Sequence, residues 1–199
     1  AIEDLGQGVY AIGEPRYYQA NYSYLIVGEK RALLFDAGSG TRDIRAVVKS
    51  LTNLPVTILP SHLHYDHLAG LHASDRVALV DLPSTRVMVS DGRFRPGRYE
   101  FLGMFDGLTA PSVPVAEWIK PGAMIIYPTM LYAFLPGADR GEYRRTAKRL
   151  LNELPPQTRL WAAHCCRRDE GYAAPWLTMA DLADLDRALG KIDAGTLEA

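Results

Sequence analysis

The feature that most constrains this chain is the run His62, Leu63, His64, Tyr65, Asp66, His67, entered from the apolar segment Val56 to Leu59 through Pro60 and Ser61. Three of the chain's five histidines fall in it. In an extended segment leaving a strand, residues two apart point the same way, so His62 and His64 can converge on one ion. If the backbone then turns into a helix, Asp66 and His67 project toward an adjacent second position. Crowded imidazoles and a carboxylate at a strand end repel or desolvate one another unless a cation gathers them. Nitrogen and carboxylate donors suit zinc, or a similar first-row ion such as Fe or Mn, better than Ca²⁺ or Mg²⁺. The fold must therefore present a strand end that opens into a metal site.

The surrounding sequence supplies that setting. Gly8 to Gly13 reads as a short strand, and Tyr22 to Val27 with Arg31 to Phe35 flank the turn residues Gly28, Glu29 and Lys30, which predicts a hairpin. Asp36 to Gly40 form a glycine-bearing loop. Thr41 is placed to cap a helix carrying Ile44, Val47, Val48 and Leu51 at helical spacing. From Asp81 to Pro121 the pattern weakens into loops with short elements. Asp139 with Glu142 opens a second helix, lined by Tyr143, Ala147, Leu150, Leu151 and Leu154 and stopped by Pro155 and Pro156. Arg159 to Ala163 reads as a strand ending at His164, and Thr178 with Asp181 caps a last helix. Alternating strands and helices predict an α+β arrangement of helices packed on sheets.

The chain has 199 residues, which predicts a single domain, 1–199, with one core. Lys and Arg number 22 against 23 Asp and Glu, so no global field draws nucleic acid or an anionic membrane surface. No apolar run approaches the ~20 residues of a membrane-spanning helix. A soluble protein acting on a small-molecule substrate is expected, with the cytoplasm and the periplasm both open. Cys165 and Cys166 are adjacent and predict no disulfide framework.

Two further residues are candidates because they end strands. His164 is suited to supply a ligand from elsewhere in the sheet. Asp36 can ligate, accept a hydrogen bond from a ligand histidine, or cap the following turn, and the hydrogen-bonding role is preferred. His72 stands alone and is read as structural. Arg16, Tyr17, Tyr18 and Tyr22 could meet a substrate, but an amphipathic strand edge is the favoured reading.

The run Ser61 to His67 resembles the HxHxDH signature of the metallo-β-lactamase superfamily. The leading hairpin, the strand ending at Asp36 and Gly38, the helix before the motif and the strand ending at His164 resemble the family as well. The resemblance implies an αβ/βα sandwich, a four-layer fold, with His62 and His64 at a first metal and Asp66, His67 and His164 at a second. It also implies one or two zinc ions. The chain departs from the family in one respect. A third histidine for the first metal and a bridging aspartate are absent, and two segments that lie apart in relatives join between Met124 and Pro128. The fold is thus expected to lack a central hairpin segment near residues 124–128. Such a loss would expose sheet edges and core, so the natural chain is expected to carry a further stretch between Met124 and Pro128, with an intact mass above 22.0 kDa.

By the same resemblance the expected activity is metal-dependent hydrolysis. A hydroxide with its pKa lowered toward ~7 would attack an ester, lactone, thioester, amide or phosphoester, and Asp66 would orient the nucleophile. The alternative is a non-catalytic binding or scaffold protein with an incomplete metal site.

Overall fold

The computed structural model describes residues 1–16, 20–120, 140–164 and 174–196. They fall into two compact units, Ala1–Pro121 with Cys165–Ala174, and Gly122–His164 with Pro175–Ala199. The junction expected near residues 124–128 lies outside the described residues, as do Tyr17, Tyr18 and Asp139.

The first unit is built on a mixed sheet. β1 (Ile2–Gly6), β2 (Val9–Glu14), β3 (Asn21–Val27) and β4 (Ala32–Phe35) form an antiparallel meander. The β3–β4 turn closes where the Gly28 amide donates to the Arg31 carbonyl at 3.0 Å, as the turn residues predict. Tyr22 is 3% exposed, and a Cβ on Gly13 would lie 2.7 Å from its ring. It is a buried residue of the sheet core. After β4 the chain crosses through helix α1 (Ile44–Leu51) to β5 (Val56–Leu59), which runs parallel to β4 with Phe35 opposite Leu59.

The cap of α1 is Asp43, whose Oδ1 accepts from the Arg45 amide at 2.9 Å. Thr41, expected to cap, instead donates its hydroxyl to Glu14. Beyond β5 come the one-turn helix α2 (Tyr65–Leu68) and β6 (Val77–Val80), parallel to β5. A turn, α3 (Pro83–Arg86), precedes the short hairpin β7 (Val89–Ser90) and β8 (Arg93–Phe94). Strand β9 (Val113–Ile119) then pairs parallel with β6 and antiparallel with β8, giving the order β1-β2-β3-β4-β5-β6-β9-β8-β7. Leu25, Leu34, Ile58, Leu68, Leu71, Val77 and Phe94 are fully buried in its core. Each such side chain contributes about 1.5–3 kcal/mol by leaving water.

In the second unit α4 (Arg140–Glu153) packs on α5 (Met179–Asp193), and β10 (Leu160–Trp161) pairs antiparallel with β11 (Trp176–Leu177). Helical spacing puts Ala147, Leu150, Leu151 and Leu154 against Met179, Leu182 and Leu185. Arg144 of α4 reaches Asp186 at 3.2 Å and Asp193 at 2.9 Å on α5. The expected cap of α5 is present: the Asp181 amide donates to the Thr178 hydroxyl, and the Thr178 amide donates to the Asp181 carboxylate at 2.7 Å. The α+β class read from the sequence is the one observed.

Candidate metal centre

β4 and β5 are parallel neighbours in register, so their carboxyl ends lie side by side. Asp36 leaves one and Ser61 leaves the other, the position where open sheets of this kind gather ligands. His64 keeps extended backbone (φ −87°, ψ 150°) and the next residue begins α2. The side-chain period therefore changes from two to about 3.6 inside the motif. His62 and His64 come from the extended part and Asp66 and His67 from the helical turn. The ring centroids of His62 and His64 are 4.3 Å apart, and those of His62 and His67 are 4.1 Å apart. Asp66 and His67 are buried, and an Asp66 carboxylate oxygen lies 3.5 Å from His67 Nε2.

Each buried polar group is held from behind. His67 Nδ1 is 2.8 Å from the Asp36 carboxylate, and the other Asp36 oxygen accepts from the Ser61 amide at 2.6 Å. A carboxylate only accepts, so a proton on Nδ1 at this contact would leave the Nε2 lone pair on the side of Asp66. Asp36 sits at φ 61°, a left-handed conformation that aspartate tolerates better than most residues. Asn21, at the start of β3, donates to the Asp66 carbonyl at 2.9 Å and to its carboxylate at 3.3 Å. The Ser61 hydroxyl is 2.9 Å from His62 Nδ1.

The electrostatics favour a positive charge here. Burial works against a charged His67, but the charge and hydrogen bond of Asp36, with Asp66 and Glu14, outweigh it and raise the pKa. His64 shifts the other way, pushed down by the partial burial of its ring against the pull of Asp66. A cation can take the place of the His67 proton between the two carboxylates. The imidazole and carboxylate donors of Asp66 and His67 are of the kind that fits zinc or a similar ion.

A cavity of about 350 Å³ opens beside the rings, lined in part by His62, Leu63, His64, Leu79, Met88 and Glu100. The structure thus brings His62, His64, Asp66 and His67 together, with Asp36 behind His67. His164 follows β10 in the second unit. His72 stays apart, at 3.2 Å from Asp43 on the surface, as its isolation in the sequence predicts. Asn21 and Ser61 escaped the sequence reading: each acts through a contact across neighbouring strands or within a turn, and no spacing signals it.

Comparison with known proteins places this geometry in context. Residues 17–78 match the model of the Metallo-beta-lactamase superfamily. Acyl-coenzyme A thioesterase MBLAC2 from Bos taurus is 29% identical over 93 residues, which is 40% of this chain and 33% of that protein. The chain thus spans about one third of the length of that relative. The native FEZ-1 metallo-beta-lactamase from Legionella gormanii has a TM-score of 0.59 at 14% identity, covering 100% of this chain and 97% of its own. The DIM-1 metallo-beta-lactamase has a TM-score of 0.61 at 12% identity, covering 96% and 97%.

Proposed function

From a chain that carries the fold and signature motif of the metallo-β-lactamase superfamily, we propose a metal-dependent hydrolase acting on a small-molecule substrate. His62 and His64 hold a first ion, and Asp66, His67 and His164 a second, with zinc the first choice and Fe or Mn the alternatives. The observation that carries the reading is the buried pair of His67 and Asp36, which places Nε2 on the side of Asp66. A surface turn has no use for a buried, oriented imidazole facing a second buried carboxylate.

When bound, the ion supplies Lewis acidity and lowers the pKa of water. The protein's own groups do the rest. Asp66, steadied by Asn21, orients the attacking water and accepts its proton. Asp36 keeps His67 in the ligating tautomer. The cavity beside His62 and His64 takes the substrate, its apolar wall at Leu63, Leu79 and Met88 excluding water from the reacting bond.

The bond attacked is that of an ester, lactone, thioester, amide or phosphoester. The curated relative named as an acyl-coenzyme A thioesterase puts thioesters first in a screen. Thioester, lactone, β-lactam and phosphodiester substrates are to be tested on purified protein before and after chelation. Turnover of one class, lost on chelation and restored by metal, is expected. Absence of turnover on every class by metal-replete protein would overturn the reading. A second reading, a non-catalytic binding or scaffold protein, is favoured by one observation: no histidine lies between His72 and His164. A folded protein that takes up no metal would support it.

A further inference from the structure

The loop after β4 contains three left-handed residues, Asp36 (φ 61°), Gly38 (φ 72°) and Gly40 (φ 75°). Past the Asp36 amide, which donates to the Leu59 carbonyl, no helix or sheet ladder fixes this backbone, so its polar groups need other partners. On one side it is held by α2. The Ala37 amide donates to the His67 carbonyl at 2.8 Å, and a Cβ on Gly40 would lie 2.7 Å from that of Ala69.

On the other side stands Glu14, the last residue of β2. One carboxylate oxygen accepts from the Ser39 amide at 2.8 Å. The other accepts from the Ser39 hydroxyl at 3.0 Å and the Thr41 hydroxyl at 3.1 Å. Gly38 passes so near that an added Cβ would sit 2.8 Å from the carboxylate. Charge-assisted bonds of this type are short and directional, and three on one carboxylate leave the loop one position.

We infer that Glu14 is a positioning residue for the metal centre. By pinning residues 38–41 it fixes the loop in which Asp36 meets His67 Nδ1, and so keeps Nε2 turned to the ion. The hydrogen bonds of Glu14 act on the loop that carries Asp36, while its charge also helps to raise the His67 pKa. The consequence for metal binding rests on the hydrolase reading, while the loop geometry does not. Glutamine is the informative replacement. Its oxygen can accept from the Ser39 amide and its nitrogen can donate to the two hydroxyls, which also accept. Alanine loses all three bonds.

The test uses two measurements on the whole protein. Imidazole nitrogen NMR of the metal-free protein follows the hydrogen-bonded Nδ1 proton of His67, and competition with a chromophoric chelator gives zinc affinity. Glu14→Gln should keep the proton signal and an affinity close to wild type. Glu14→Ala should lose or broaden the signal and weaken zinc binding by about 10- to 100-fold, the range for groups that orient a ligand histidine. If Glu14→Ala fails to fold, the double variant Ser39→Ala, Thr41→Val removes two of the three bonds and should lower both readouts partway. A folded alanine or double variant with wild-type signal and affinity would overturn the inference. So would a glutamine variant as damaged as alanine. Should the wild type itself bind none of zinc, Fe and Mn, the hydrolase reading fails, and the His67 signal still decides the role of Glu14.

Discussion

The Asp36 carboxylate lies 2.8 Å from His67 Nδ1, and both side chains are 1% exposed. Two residues that follow different strands are thereby locked into one unit. The lock exists because β4 and β5 are parallel and end in register, with the Asp36 amide also donating to the Leu59 carbonyl at 3.1 Å.

Replacing Asp36 by Asn tests that lock. Asparagine keeps the shape and tolerates the left-handed backbone. It cannot accept from both the Ser61 amide and His67, so one buried donor loses its partner at a cost of about 1–3 kcal/mol. Zinc affinity measured by chelator competition should fall about 10- to 100-fold, and Asp66→Ala should lower it further. Equal losses from the two substitutions would contradict the assignment of Asp36 to orientation and Asp66 to ligation.

His64 is the most exposed residue of the motif's four ligand candidates, so removing its ring leaves no core cavity. His64→Ala should keep the wild-type melting transition and lose most hydrolytic turnover. Turnover unaffected by the change would remove His64 from the mechanism.

The legible parts of this chain were those with a strong local period. The β2–β3–β4 meander, β5 and α5 follow from alternation, turn residues and a capping box, each decided within a few neighbouring residues. Strand β9 was not legible. It contains Pro114, and most of its residues are exposed or half-exposed, so no alternation marks it. The motif itself was plain, because its spacing encodes a strand-to-helix switch. Its supports were hidden, since Asn21 reaches Asp66 across 45 positions and Glu14 reaches Ser39 across 25. The cap of α1 was misplaced for the same reason: the Thr41 hydroxyl is committed to Glu14, which leaves Asp43 to cap.

Gly70 is packed where no side chain fits. An added Cβ would overlap the Ala37 carbonyl oxygen and press on Ile44. Gly70→Ala should therefore destabilise by about 1–3 kcal/mol through overpacking, read as a lower denaturant midpoint. A midpoint unchanged from wild type would show that the Asp36–Gly40 loop can yield.

Hydrogen bonds from the Thr178 hydroxyl and amide hold the Asp181 carboxyl below its ordinary value of 3.8. A lowered folded pKa stabilises the fold above about that value, and the contribution disappears as pH falls through the folded pKa. Asp181→Ala should thus destabilise at pH 7 by about 0.3–1 kcal/mol, the range for an acidic side chain in the first turn of a helix. The gap from wild type should narrow below pH 3.8. A gap independent of pH would mean that the charged carboxylate does not contribute.

The most direct test of the metal centre is zinc K-edge X-ray absorption on protein loaded with zinc and dialysed. The account predicts retained zinc with nitrogen and oxygen ligands at about 2.0–2.2 Å, the multiple scattering of two or more imidazoles, and no sulfur at about 2.3 Å. Zinc lost on dialysis, or a shell containing the sulfur of Cys165 or Cys166, would contradict it.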